Sequence, residues 1–200
     1  MYTLVSGFWR YLFKKDEYFV LILGLDNAGK TTFLESTKTK FNPDYHMMQP
    51  SKITSTVGLN IGKIDVDGSR LNFWDLGGQE ELQALWDKYY QECHGVIYVI
   101  DSSDQERLQE SYQAFDKMLD SDHLTGVPLL VVCNKQDIEN CLSVSEIKTV
   151  FHESVHKLGK RSCSVVPASA LTGNNVQESI SWLISSLKRN SWHRPPIHNS

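Results

Sequence analysis

Apolar positions along the chain change period several times. The opening stretch, MYTLVSGFWRYLFKK, sets Leu4, Val5, Phe8, Trp9, Tyr11, Leu12 and Phe13 on one broad face at helical pitch. Thr3, Ser6, Gly7, Arg10 and Lys14 fall opposite, at spacings of three and four. This pattern predicts an amphipathic helix over residues 1–17. Beyond it, the apolar runs YFVLILG, LNIGKIDV, RLNFWD, GVIYVID, PLLVVCN and CSVVP read as strands. They alternate with AGKTTFLESTKT, ELQALWDKYYQE, QERLQESYQAFDKML, VSEIKTVFHESVHKL and NVQESISWLISSLK, whose period is helical.

Alternation of this kind predicts an α/β domain over residues 18–190: a six-stranded, mostly parallel sheet with helices on both faces. LNIGKIDV and RLNFWD are joined only by Asp67-Gly68-Ser69, too short for a helical crossover, so one antiparallel hairpin is expected in the sheet. The Pro-punctuated SWHRPPIHNS predicts a loose tail over 191–200. No internal repeat or second domain is visible.

Composition narrows the class. The 200 residues are 40% hydrophobic and 22% charged with a net charge of −4, an ordinary globular balance without the basic excess that nucleic acid demands. Cys93, Cys133, Cys141 and Cys163 contain no CxxC pair and read as reduced thiols. No apolar run reaches the roughly 18 residues of a membrane span. The opening lacks a secretory cleavage site, Tyr2 stands where myristoylation needs glycine, and the closing IHNS offers no cysteine for prenylation. Any membrane contact is therefore expected to be peripheral, through the amphipathic helix, and a monomer is expected.

The chemistry gathers at strand ends. GLDNAGKT, Gly24 to Thr31, fits G-x-x-x-x-G-K-[ST] after a strand and before a helix. Gly24 and Gly29 let consecutive N–H groups wrap a phosphate at a helix N-terminus. Lys30 reaches β- and γ-phosphate oxygens, and the Thr31 hydroxyl can ligate Mg²⁺. In RLNFWDLGGQE, Asp75 can hold Mg²⁺, Gly78 can offer its N–H to a γ-phosphate, and Gln79 is the candidate to orient attacking water. In NKQD, Asp137 can accept from both N1–H and the 2-amino group of guanine. Adenine lacks that amine, and a hydrogen-bonding site rejects such an analogue by roughly 10⁴–10⁵-fold. Asn134 would brace the base, Lys135 lie over its ring, and the Ala170 N–H of Ser169-Ala170-Leu171 reach guanine O6. Asp26, Asn27, Ala28 and Thr32 complete the candidate nucleotide contacts. Together these elements predict a GDP/GTP switch.

GLDNAGKTT, WDLGGQ and NKQD behind an amphipathic segment resemble the Arf family of small GTPases. Gly77-Gly78 differs from the Ala-Gly usual in Ras-like proteins, and the stretch from Thr32 to Thr56 has no room for the helical insertion of Gα subunits. The resemblance implies a P-loop NTPase fold, slow unassisted GTP hydrolysis, an exchange factor, an activating protein that supplies an arginine, and effectors. It implies that Thr56 of STVGLN meets Mg²⁺ and the γ-phosphate, with Thr31, Thr56 and Asp75 as the metal set. It implies an effector surface at Leu59, Trp74 and Tyr89, Leu59 standing where Phe is usual. It further implies acetylation of Met1, a membrane receptor, and residence in the cytosol and on the trans-Golgi membrane, where the protein would serve vesicle trafficking. In such proteins the hairpin between the switches, here Leu59 to Trp74, slides with GTP and evicts the N-terminal helix to the membrane.

Two other readings compete. HESVH, His152 to His156, fits H-E-x-x-H and could on a helix bind zinc, with Glu153 as base and Glu178 as third ligand, as in a metallopeptidase. A module that binds GTP without hydrolysing it could also recruit partners, since switching needs only differential affinity.

Overall fold

A computed structural model describes residues 15–56 and 58–198 of the chain. The sheet is built from β1 (Asp16–Leu23), β2 (Leu59–Val66), β3 (Ser69–Leu76), β4 (Gly95–Asp101), β5 (Leu129–Asn134) and β6 (Cys163–Pro167). Their order is β2-β3-β1-β4-β5-β6, and only β2 against β3 is antiparallel. The hairpin and the parallel remainder therefore stand as the chain pattern predicts. The helices are α1 (Lys30–Phe41), α2 (Glu80–Gln83), α3 (Asp87–Tyr90), α4 (Leu108–Leu119), α5 (Val144–Phe151) and α6 (Val176–Arg189).

Strand side chains alternate between two cores, as a pleat of period two requires. On one face Leu21, Leu23, Tyr98 and Ile100 pack against Phe115 and Met118 of α4 and Ile147 and Phe151 of α5. On the other, Val20, Ile22, Ile97 and Val99 meet Phe33 and Leu34 of α1 and Ile180, Leu183 and Leu187 of α6. Cys93 and Cys133 are buried, and burial pushes both thiols up to about 12. Cys141 and Cys163 are partly exposed, and all four thiols are free.

Several local expectations need correction. β1 begins at Asp16, so the amphipathic helix expected over 1–17 cannot include Asp16 and Glu17, which pair with Ser69 and Arg70 of β3. Residues 1–14 lie outside the described residues. ELQALWDKYYQE forms two short helices instead of one. The chain turns between them to bury Trp86, whose Nε1–H donates to Gly77 O at 3.0 Å. The segment expected as one helix over 144–158 starts with a capping box between Ser143 and Glu146 but tightens to a 3₁₀ turn over His152–Leu158. That winding sends Ser154 Oγ and Lys157 Nζ to the two oxygens of Asp116, at 2.6 and 2.8 Å.

The tail expected to be loose is instead strapped, as far as Ile197, across the end of the sheet where β1 begins. Ile197 and Glu17 exchange two backbone hydrogen bonds. Arg194 donates to Gln91 O at 2.6 Å and also to His123 O. His94 takes the Phe19 N–H on Nδ1, so Nε2 carries the proton and donates to Pro195 O, each at 3.0 Å. Burial, with Arg194 nearby, holds the His94 pKa below its ordinary 6.5 even though the Pro195 bond opposes the shift. The unfolded chain therefore takes up the proton first, and the stability contributed by neutral His94 is complete above about pH 6.5 and lost as pH falls below it. Denaturant titrations of wild type and His94→Gln should show the variant weaker near neutrality yet less acid-sensitive. Equal acid sensitivity would contradict the assignment.

Candidate functional site

The carboxyl ends of β1, β3 and β5 converge on one cleft of about 220 Å³. Its lining includes Asp26, Asn27, Gly29, Lys30, Thr31, Thr32, Thr56, Gly78 and Lys135, all expected from sequence, together with Ile53, Thr54 and Ser55. Two glycines are dictated by space. A Cβ on Gly24 would fall 2.2 Å from Val99 O, and one on Gly29 would fall 2.3 Å from Asn134 Nδ2. Gly29 has a φ of 92°, in the left-handed region, and caps α1 without any side-chain hydrogen bond. The first-turn N–H groups of α1 are thus open to an anion. Gly78 is pressed against the same loop, where a Cβ would stand 2.3 Å from Gly24 O.

Lys30 is buried, with Nζ donating to Leu25 O at 2.7 Å. Burial pulls its pKa down to about 8, against the opposing pull of Asp75 and Asp26. Beside it, Thr31 Oγ1 lies 2.8 Å from Thr56 Oγ1 and donates to Asp75 Oδ2 at 2.7 Å. Asn60 Nδ2 adds a bond to Asp75 Oδ2 at 3.3 Å. The other oxygen, Asp75 Oδ1, is buried with no partner. Burial raises the Asp75 pKa despite these bonds, a shift that a cation beside it would oppose. Two hydroxyls and an orphaned carboxylate oxygen form a hard-oxygen set that fits Mg²⁺.

The other end of the cleft is organised by Asn134. Its Nδ2 donates to Ala28 O at 2.8 Å and its Oδ1 accepts from Ala170 N at 2.9 Å. The Ala170 N–H, expected to meet guanine O6, is therefore given to Asn134 instead. Ser169 Oγ donates to Asp137 Oδ1 at 2.5 Å and accepts from Thr172 N, which fixes the carboxylate at the loop tip. Lys135, at a φ of 66°, reaches Asp101 Oδ2 at 2.5 Å. Leu171 is 54% exposed and does not line the cleft. Gln79 is exposed at the N-cap of α2 and does not line the cleft.

Sequence reading missed three neighbours. Arg107 pairs with Asp26 Oδ1 at 2.6 Å and with Glu110, offsetting the charge of the P-loop carboxylate. Asp101 holds Lys135. Buried Glu35 of α1 gathers Lys38, the Tyr45 hydroxyl and the Met48 N–H, anchoring the long segment before Thr56. That carboxylate also pushes Tyr45, already raised by partial burial, up to about 12. Apart from the i,i+3 pairs Arg107–Glu110 and Glu35–Lys38, these contacts join residues whose spacing means nothing in the linear chain.

Leu59, Trp74 and Tyr89 lie toward the outer end of the sheet. Trp74 packs on Tyr89 at 5.4 Å between centroids and on Phe19 at 4.8 Å, with Ile61 exposed beside it in the β2–β3 register. The zinc constellation does not assemble. His152 and His156 sit on the tightened 3₁₀ turn, His156 Nδ1 lies 2.6 Å from Glu153 O, and Glu178 belongs to α6 on the opposite face of the sheet. Among the described residues no group of three His, Cys, Asp or Glu could hold a metal.

A P-loop, a strand-end Asp75 and an NKQD loop on this sheet define a small GTPase. The ADP-ribosylation factor family model matches residues 5–187, and the chain belongs to that family. It is 64% identical to ADP-ribosylation factor-related protein 1 of Bos taurus, over 98% of this chain and 97% of that protein. It is 44% identical to ADP-ribosylation factor-like protein 3 of Saccharomyces cerevisiae, over 99% of this chain and 100% of that one. Among solved structures, the Arl6 (BBS3) small GTPase of Trypanosoma brucei with bound nucleotide analogue GppNp is similar at a TM-score of 0.75 and 29% identity. The match covers 86% of this chain and 98% of that one. The chain is accordingly a GTP-hydrolysing switch that binds GTP and GDP.

Gly29→Ala should displace Asn134 from Ala28 and lower guanine-nucleotide affinity on the order of 10–100-fold, the worth of one or two buried hydrogen bonds. Calorimetric titration with GDP checks it; unchanged affinity would mean that the Asn134 tie is dispensable.

Proposed function

We propose that this GTPase works as a slow membrane-recruiting switch, with the roles at the cleft distributed as its geometry favours. The contact that carries this reading is Thr31 Oγ1 to Thr56 Oγ1 at 2.8 Å, beside the orphaned Asp75 Oδ1. It closes the segment before β2 onto the P-loop, the arrangement a triphosphate and cation would select. Thr31, Thr56 and Asp75 would hold Mg²⁺, which when bound offsets charge on the β- and γ-phosphate oxygens. The α1 N-terminus and Lys30 bind the phosphates, Gly78 meets the γ-phosphate, and Asp137, steadied by Ser169, selects guanine. Lys135 covers the base while Asn134 ties the loops together.

Gln79 is the residue assigned to orient attacking water. Its exposed place outside the cleft supports slow hydrolysis without help. An activating protein would both seat Gln79 and bring an arginine, worth roughly 10³–10⁵ in rate. Leu59, Trp74 and Tyr89, with Ile61, form the surface for effectors.

The apolar face of residues 4–13 supports reversible membrane binding of the GTP form by a monomer. The family resemblance supports cytosolic and trans-Golgi residence, a receptor there and a role in vesicle trafficking. Full burial of one large apolar side chain is worth roughly 1.5–3 kcal/mol, opposed by the cost of ordering the segment, so a second contact is needed for firm attachment. Vesicle flotation with GDP and with a non-hydrolysable GTP analogue tests the switch, and stronger flotation with the analogue is expected. Equal flotation in the two states would reject it. Asp137→Ala should abolish copurification of guanine nucleotide, read by chromatography of the extracted ligand.

A further inference from the structure

The strap at residues 191–197 is fixed to the domain, and it holds a tryptophan out into water. Trp192 is 94% exposed, the most exposed large apolar side chain among the described residues. Its surroundings in the chain are cationic. Lys188 donates to Asp67 O at the hairpin tip, Arg189 to Ser186 Oγ, and Arg194 to two carbonyls, so none of these charges is spent on a carboxylate among the described residues. Of the acids near this end, Asp65 is matched by Lys15 and Arg70, Glu17 by Arg70 and Asp16 lies beside His198, while Asp67, Glu92 and Asp122 carry no ion pair among the described residues. The Glu17–Ile197 bridge sets the strap beside the point where residues 1–14 join β1, at the end of the sheet opposite the nucleotide cleft.

We propose that Trp192 and its flanking cations form a membrane contact of their own, made to an anionic bilayer. The inference rests on the reading that the N-terminal segment meets lipid at this end of the molecule. An indole has an apolar body and one polar N–H, which suits the headgroup boundary, and unspent cations suit anionic headgroups. A protein hot spot would hold its tryptophan near a pocket or within a larger apolar patch. Here the indole stands just past the outgoing end of α6, in a run of chain that carries Lys188, Arg189 and Arg194. Because Arg194, Pro195 and Ile197 are already tied down, little conformational entropy remains to be lost on binding. The strap supplies the second contact that the N-terminal segment alone lacks.

The test uses the full chain loaded with a non-hydrolysable GTP analogue and phosphatidylcholine vesicles with and without phosphatidylserine. Trp192→Ala should weaken flotation about tenfold on the anionic vesicles, Trp192→Phe should restore part of it, and nucleotide retention should not change. Brominated phosphatidylcholine should quench a component of tryptophan emission that Trp192→Phe lacks. If Trp192→Ala floats like wild type while Trp9→Ala does not, the strap contact is overturned and the N-terminal reading stands. If wild type fails to float, both fall. If the Trp192 emission is already blue-shifted and indifferent to vesicles, the indole has a protein occupant, and the proposal is overturned.

Discussion

The cleft depends on one buried amide. Asn134 ends β5, and its side chain spans two loops that share no sequence neighbourhood, taking the P-loop at Ala28 O and the Ala170 N–H after β6. An amide suits this post because it donates at one end and accepts at the other, so both backbone groups are satisfied without a buried charge. The close fit to Gly29 follows, since any side chain there would occupy the space of the amide nitrogen. The phosphate end and the base end of the cleft are thus set relative to each other by a single residue.

Around that tie the site is poised in charge. Lys30 is buried among backbone atoms, and Asp75 is buried with one oxygen unmatched. Burial lowers the Lys30 pKa and raises that of Asp75, and an anion beside the one and a cation beside the other would each oppose that shift. Arg107 sets the opposite limit. It neutralises the P-loop carboxylate in advance and keeps Asp26 from adding to the charge density that a phosphate brings.

The parallel sheet, the hairpin and the P-loop, Asp75 and NKQD segments at strand ends were legible because each is a local pattern, whereas Thr56 entered the metal set only through the family resemblance. Period two, period 3.6, a turn of three residues and a glycine at fixed offset all survive in the linear chain. What could not be read came from contacts between distant positions. Arg107 meets Asp26, Glu35 meets Tyr45, and His94 meets Pro195, and none of these pairings leaves a spacing rule behind. The tail shows the difference well. Proline and polar residues read as a loose end, yet Arg194 and the carbonyls of Pro195 and Ile197 find partners that only the folded domain assembles. The HESVH motif failed for the converse reason: the spacing was right, but the backbone wound more tightly than an α-helix.

The cysteines carry a practical consequence. With the Cys93 and Cys133 thiols enclosed and held protonated, mild alkylation is directed to Cys141 and Cys163. Burial raises the Cys163 thiol as well, and the other partly exposed thiol is Cys141. It follows the NKQD turn, where Gln136 Nε2 donates to Leu142 O. The native chain thus carries a handle for a fluorophore next to the base loop, so that arrival and departure of the ligand can be followed without engineering a new attachment point.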